Sequence, residues 1–209
     1  MRALAVALLA CTLASGARGQ DEALPLGLGM AVPTDLAAGV PLFFYPSPEH
    51  DMPLDSLTVS EGPHHVEIAT APPWLDPEVA KLDYDTISFR VVSLRDYWVE
   101  VIVHDRDIRW PSKTMWLIRD AVEVQPWAVY LLDVYSIETP EAALIYAGAE
   151  ASGGTVGQTE AGRPLQVLET RHAWARVAYA DATEAEAGPL GWVRWHDGER
   201  LLVRISLLS

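Results

Sequence analysis

Two stretches of this chain, RDYWVEVIVHD at residues 95–105 and RHAWARVAYAD at residues 171–181, are variants of one pattern. In each, an arginine is followed three residues later by a tryptophan, alternate positions are then apolar or small, and the run closes on aspartate. Aligning 89–105 with 165–181 without gaps pairs Val91 with Val167, Arg95 with Arg171, Trp98 with Trp174, Val101 with Val177 and Asp105 with Asp181. Five identities in 17 pairs, against about one expected by chance, identify an internal duplication. The same shift of 76 carries Trp116 onto Trp192. Upstream, PLFFYPSPE parallels ALIYAGAE with Tyr45 over Tyr146, a shift of 101, so the first copy holds 25 additional residues ahead of its tryptophan strand.

Both copies read as β-structure. After each tryptophan the alternate residues are Val99, Val101 and Val103 in one copy and Ala175, Val177 and Tyr179 in the other, with Glu100 and Arg176 on the opposite parity. That period of two, with one apolar face and one mixed face, marks a half-buried strand. WVRWHDGERLLVRI adds a hairpin, because Asp197-Gly198 supplies a positive-φ turn between two β-rich runs. Short strands separated by turn signals predict an all-β chain built as small barrels or sandwiches. The best helical stretch is LDPEVAKL, residues 75–82, in the extra segment of the first copy, where Asp76 suits a cap and Pro77 the first turn.

The first residues, MRALAVALLACTLASGARGQDE, have the anatomy of a secretory signal peptide: one arginine, an apolar run from Ala3 to Ala14, then small residues. Cleavage after Gly19 is expected, leaving Gln20 as the new terminus, with a cut after Gly16 as the alternative. The apolar run falls short of the roughly 20 residues a membrane span requires, and no later run is longer, so no transmembrane segment is expected in the mature chain. Periplasmic or extracellular placement follows, with lipid attachment at Cys11 as the less favoured alternative. Cys11 is the only cysteine, so the mature domain would rely on its core and not on disulfides. The formal net charge of −14 argues against nucleic acid and anionic membrane surfaces as partners.

The second copy resembles a bacterial SH3-like (SH3b) domain. The resemblance rests on a first strand ALIYAG, a small-residue loop AEASGGTVGQTEAG, a strand LQVLE, the tryptophan strand AWARVAY and the Gly-Trp pair of GWVRW at Gly191–Trp195. It covers residues 140–209; the first copy resembles the family more weakly over 38–132, with Met115-Trp116 in place of Gly-Trp, and the family's asparagine-valine-arginine signature is absent from both. The implied organisation is a signal peptide (1–19), an N-terminal segment (20–37), a divergent SH3-like barrel with an insertion holding a short helix (38–132), a linker (133–139) and a second SH3-like barrel (140–209). The family implies a binding or spacing module of the cell envelope without catalysis or cofactor, whose partner is cell-wall peptide or another envelope protein.

The candidate ligand-binding residues are aromatic or basic. Trp98 and Trp174 share the mixed face of their strands with Glu100 and Arg176, an arrangement suited to stacking on a ligand or to lidding one end of a barrel. Trp192 and Trp195, three apart, face opposite sides of a strand, so one must be exposed unless the other repeat covers it. Tyr45 and Tyr146 read as core residues, with the lining of a groove as the alternative. RDIRWPSK, residues 106–113, places Arg106, Arg109 and Lys113 around Trp110 and falls opposite the acidic ATEAEAGP, residues 182–189. The basic loop is therefore read as a solvated loop, or else as a candidate anion site or a contact with the second copy. A metal-dependent hydrolase built on His64, His65, Glu67 and Asp76 is the rival reading. Adjacent His64 and His65 point to opposite faces of a strand, whereas zinc needs three or four converging ligands.

Overall fold

The computed structural model describes residues 24–103 and 114–206. Sixteen strands and a single α-helix occur among them. The first unit contains β1 (Gly29–Pro33), β2 (Leu42–Phe44), β3 (Asp55–Glu61), β4 (Val66–Thr70), β5 (Val79–Lys81), β6 (Thr86–Arg95), β7 (Trp98–Ile102), β8 (Thr114–Ile118) and β9 (Val122–Pro126). After α1 (Trp127–Asp133), the second contains β10 (Ser136–Glu138), β11 (Leu144–Tyr146), β12 (Thr155–Gln158), β13 (Leu165–Arg171), β14 (Trp174–Tyr179), β15 (Gly191–Arg194) and β16 (Arg204–Ser206).

The duplication seen in the sequence is a duplication of topology. In the first unit the order is β8-β7-β6-β1-β9, with β2-β3-β4 joined to β8 through the bridge between Tyr45 and Trp116. In the second it is β12-β11-β15-β14-β13-β10-β16. Thus β6, β7 and β8 correspond to β13, β14 and β15, while β1 and β9 correspond to β10 and β16. The tryptophan hairpins agree in detail. Each carries a bulge, between Val91 and Ser93 in one and between Val167 and Glu169 in the other, so the shift of 76 persists in the irregularity itself. Each turns through one residue at positive φ, Asp96 (31°) and His172 (49°).

The all-β class holds, with two refinements. Among the described residues, strand pairing closes neither unit's sheet into a barrel. All four residues of β12 are exposed, so this end strand has no apolar row with which to meet β16. The helix expected at 75–82 is replaced by β5, which pairs with β6 from Val79↔Ser88 to Lys81↔Thr86, followed by a 3-10 turn at Leu82–Tyr84. Burial of Val79 and the grip of Arg90 on Glu78 at 2.5 Å outweigh a local propensity worth one or two turns. The insertion in the first unit therefore consists of strands β4 and β5. Residues 133–139 carry the end of α1 and β10, and β1, ahead of residue 38, lies in the middle of its sheet.

The helix explains how the units pack. In α1, Trp127, Tyr130 and Leu131 lie at i, i+3 and i+4 and are buried, while Val129 and Leu132 are exposed. The buried face joins the second unit's core of Ile137, Leu165, Val177 and Trp195 to Met30 on β1 and Val79 on β5. On β1, the neighbouring Ala31 points the other way, into the first core of Phe44, Phe89, Val99 and Leu117. β6 is likewise covered on both faces: Ile87, Phe89 and Val91 enter the first core, whereas the Ser88 hydroxyl meets the Tyr130 hydroxyl at 3.1 Å. From that second face the Arg90 guanidinium lies 5.6 Å from the Trp127 ring centroid.

Candidate functional site

The four residues matched at the two shifts, a tyrosine, an arginine and two tryptophans, meet in space in both units. In the first, the rings of Tyr45 and Trp98 form an edge-to-face pair with centroids 5.0 Å apart at 75°, and the Arg95 guanidinium sits 5.0 Å from the Trp116 ring. In the second, Tyr146 and Trp174 lie 5.0 Å apart at 76°, and Arg171 sits 5.1 Å from Trp192. The backbone positions them. The two-residue turn brings Arg95 opposite Trp98 and Arg171 opposite Trp174, and the next ladder sets Glu100 against Trp116 and Arg176 against Trp192. Edge-to-face aromatic pairs and cations over indole are favourable geometries, each worth about 0.5–1.5 kcal/mol.

Within each cluster the rings differ in exposure. Trp116 and Trp192 are buried beneath their arginines, and Trp98 and Trp174 are half-buried. Arg95 and Arg171 are exposed. The clusters also differ in charge. In the first, the Glu100 carboxylate accepts from the Ser93 hydroxyl at 2.8 Å and the Thr114 hydroxyl at 3.0 Å; in the second, Arg176 takes that place and Arg171 is bound by Glu169 at 2.7 Å. The Gly-Trp pair has a steric reason. Gly191 has φ of +136°, and a Cβ there would lie 2.6 Å from the Tyr146 carbonyl oxygen.

Trp195 is covered by the remainder of the molecule: it is 4% exposed, its indole N–H donates to the His172 carbonyl at 2.9 Å, and Trp127 packs 6.5 Å away. It is a packing residue and presents no contact surface. His196 follows, with its ring 4.0 Å from that of Trp195 and its Nδ1 accepting the Gly198 N–H at 3.0 Å. Burial holds this imidazole below the ordinary histidine range. The unfolded chain takes up the proton near pH 6.5 and the folded protein resists it, so stability falls as pH drops through about 6.5 and levels off below the folded pKa. Thermal unfolding at about pH 7.5 and 5.5 is expected to show this loss, and His196→Gln to reduce the difference; an unchanged difference would rule out His196 as its source.

The turn beside it is rigidly held. Backbone N–H groups of Glu199 and Arg200 donate to Asp197, both at 2.9 Å, and these bonds lower its carboxyl to about 2. Gly198 supplies the expected positive φ, and His196 bridges Leu201. The strands then part, β15 to β14 and β11, β16 to β10.

The remaining candidates are dispersed or lie elsewhere. Arg106, Arg109 and Trp110 fall outside the described residues. In the acidic loop, Glu186 is engaged by its own unit: Arg163 donates to its two oxygens at 3.2 and 3.1 Å and stacks 3.6 Å from Tyr179. His64 and His65 are exposed in the turn before β4, and among the described residues no three histidine, cysteine, aspartate or glutamate side chains are grouped to hold a metal ion. No helix among the described residues is long and apolar enough to cross a membrane.

Two adjoining clefts were not foreseen from the sequence. The larger, about 720 Å³, runs between Thr139–Tyr146 and the segment from Arg194 to Arg204; the smaller, about 520 Å³, lies where residues 200–205 meet Leu24, Glu78 and Arg90 of the first unit. Tyr146 is a wall of the larger cleft, linking it to the second aromatic cluster. The only sequence signal for them was the recurrence of Arg194, Arg200 and Arg204 near the C-terminus of an acidic chain.

No family model and no curated protein matches the chain. Among solved structures, NlpC2 from Trichomonas vaginalis is similar at 10% identity, covering 86% of this chain and 48% of that one with a TM-score of 0.29. NlpC1 from the same organism is similar at 11% identity, covering 87% and 47% with a TM-score of 0.30. The chain thus spans about half the length of these structures.

Proposed function

We propose that this protein is a non-enzymatic, exported binding module of the bacterial envelope, recognising cell-wall peptide or an envelope protein partner through the aromatic clusters of its two units. The observation that carries the reading is the recurrence of the tyrosine–arginine–tryptophan–tryptophan cluster with a half-exposed indole at the same place in both copies. A partly exposed indole packed against tyrosine offers a rigid surface at little entropic cost, the property that makes tryptophan prominent at interfaces. The secretory leader read from the sequence supplies the route to the envelope. A spacer role is the second reading, favoured by the core shared across α1, which ties the two units to one another.

The test is sedimentation with purified cell-wall sacculi. Because Trp195 is buried, the informative variant is Trp98→Ala combined with Trp174→Ala. Salt-resistant pelleting that the double variant loses, with its folded spectrum retained, is expected. A protein that remains in the supernatant at low and moderate salt rules out wall recognition and leaves the protein partner or the spacer.

A further inference from the structure

The two aromatic clusters share their rings but not the charges around them. In the second unit the sheet register sets Arg171 opposite Trp174 and Trp174 opposite Arg194, with Glu169 opposite Arg176 and Arg176 opposite Trp192 in the next row. Residues opposite one another on paired strands, and residues two apart on one strand, share a face. This face therefore carries three arginines and one glutamate around its indoles, in a chain of formal net charge −14. In the first unit the same two rows are Arg95, Trp98 and Ile118, then Ser93, Glu100 and Trp116, with one arginine and one glutamate. Arg176 thus stands in the place of Glu100, and Arg194 in the place of Ile118. Glu169 is taken by Arg171 at 2.7 Å. Among the described residues neither Arg176 nor Arg194 has an ion pair. Arg194 donates only through Nε, to the His196 carbonyl at 3.1 Å, and its two terminal nitrogens remain for a ligand. Glu141 lines the larger cleft with Arg194 but is not paired with it. Arg194 is exposed, and Arg176 and Trp174 are half-buried.

Arg176 and Arg194 are diagonal neighbours on adjacent strands, a spacing of roughly 7–8 Å across which long side chains reach one another. Two guanidinium groups so placed can converge on one carboxylate, whose oxygens accept paired, charge-assisted N–H bonds. Trp174 adjoins both, two residues from Arg176 and opposite Arg194, and offers its ring to whatever bears that carboxylate. The overall charge restricts the size of the ligand. An acidic protein or polyanion is repelled as a whole, whereas a short peptide with one terminal carboxylate is not. We propose that the second unit binds the terminal carboxylate of a short cell-wall peptide between Arg176 and Arg194, with the adjoining peptide residue packed on Trp174. The first unit, with Glu100 and Ile118 at those positions, does not take this group. The inference rests on the reading of the chain as a wall-binding module and assigns the charged end of its ligand to one of the two clusters.

Titration of the exported chain with acetyl-Lys-D-Ala-D-Ala, followed through the tryptophan indole N–H resonances, tests it against the same peptide ending in a carboxamide. The free acid is expected to shift the Trp174 resonance and to bind at least about tenfold more tightly than the carboxamide, the ratio set by loss of one charge-assisted contact. Its binding should weaken between about 50 and about 300 mM salt. Arg176→Gln and Arg194→Gln are each expected to lower affinity for the free acid at least about fivefold, with the backbone amide spectrum otherwise unchanged, and Arg95→Gln in the first unit to leave it intact. Equal binding of acid and carboxamide, or free-acid binding that survives both substitutions, overturns the proposal. Failure here is separable from failure of wall recognition. Pelleting on sacculi with neither peptide bound overturns the carboxylate site and leaves the wall module standing. Free-acid binding by a protein that does not pellet keeps the carboxylate site and overturns the wall as its source.

Discussion

Replacing Trp127 by alanine is expected to lower the unfolding free energy by about 3–5 kcal/mol and to separate the unfolding of the two units. The side chain is 4% exposed. Its indole N–H donates to the Leu26 carbonyl at 2.7 Å, and its ring packs 6.1 Å from Tyr130 and 6.5 Å from Trp195. Arg90 lies over it from β6. Truncation therefore opens a cavity bounded by both units and leaves the Leu26 carbonyl without its donor. A loss of that size is a large part of the 5–15 kcal/mol that stabilises an ordinary domain. Chemical denaturation of the variant should show a broadened or two-step transition where the parent shows one. Amide hydrogen exchange followed by mass spectrometry should report lost protection in both β6 and β13. A single, unshifted transition would mean that α1 does not couple the units.

Phe44→Ala is expected to cost about as much, about 3–5 kcal/mol, but on one side only. Phe44 is fully buried in the first core, edge-on to Trp74 at 5.4 Å and to Phe89 at 5.8 Å. It contributes nothing to the core shared with α1. Exchange protection should fall across β6, β7 and β8 and persist in β13, β14 and β15. Equal loss in both sets would show that the two cores fail together. The pair of variants thus separates an internal packing residue from one that joins the units.

The duplication was legible because identical side chains were retained where they touch one another. Arg95 and Arg171 cover Trp116 and Trp192, and Tyr45 and Tyr146 meet Trp98 and Trp174. The alternation in each tryptophan strand was legible for the usual reason, that one face of a sheet is buried and the other is not. α1 was not. WAVYLLD is seven residues of mixed apolar type, and it follows VEVQP, whose alternation continues naturally as strand. Only the burial of Trp127, Tyr130 and Leu131 together distinguishes the two readings. The arginine clefts were equally hidden, since the smaller one joins Arg90 to Arg200 and Arg204, more than a hundred residues later.

By itself, then, the sequence determined the local conformation of the repeated hairpins and the equivalence of the two copies, because period and identity are properties of neighbouring or aligned residues. The tertiary structure decided what lies against what. β1 enters the first sheet by pairing with β6 and β9, far along the chain, and β5 forms a strand because β6 is there to receive it. Trp195 is buried because Trp127 arrives from α1 to cover it. Pairing and burial are energies between residues distant in sequence, and they outweigh local preferences of about 1 kcal/mol wherever the two compete.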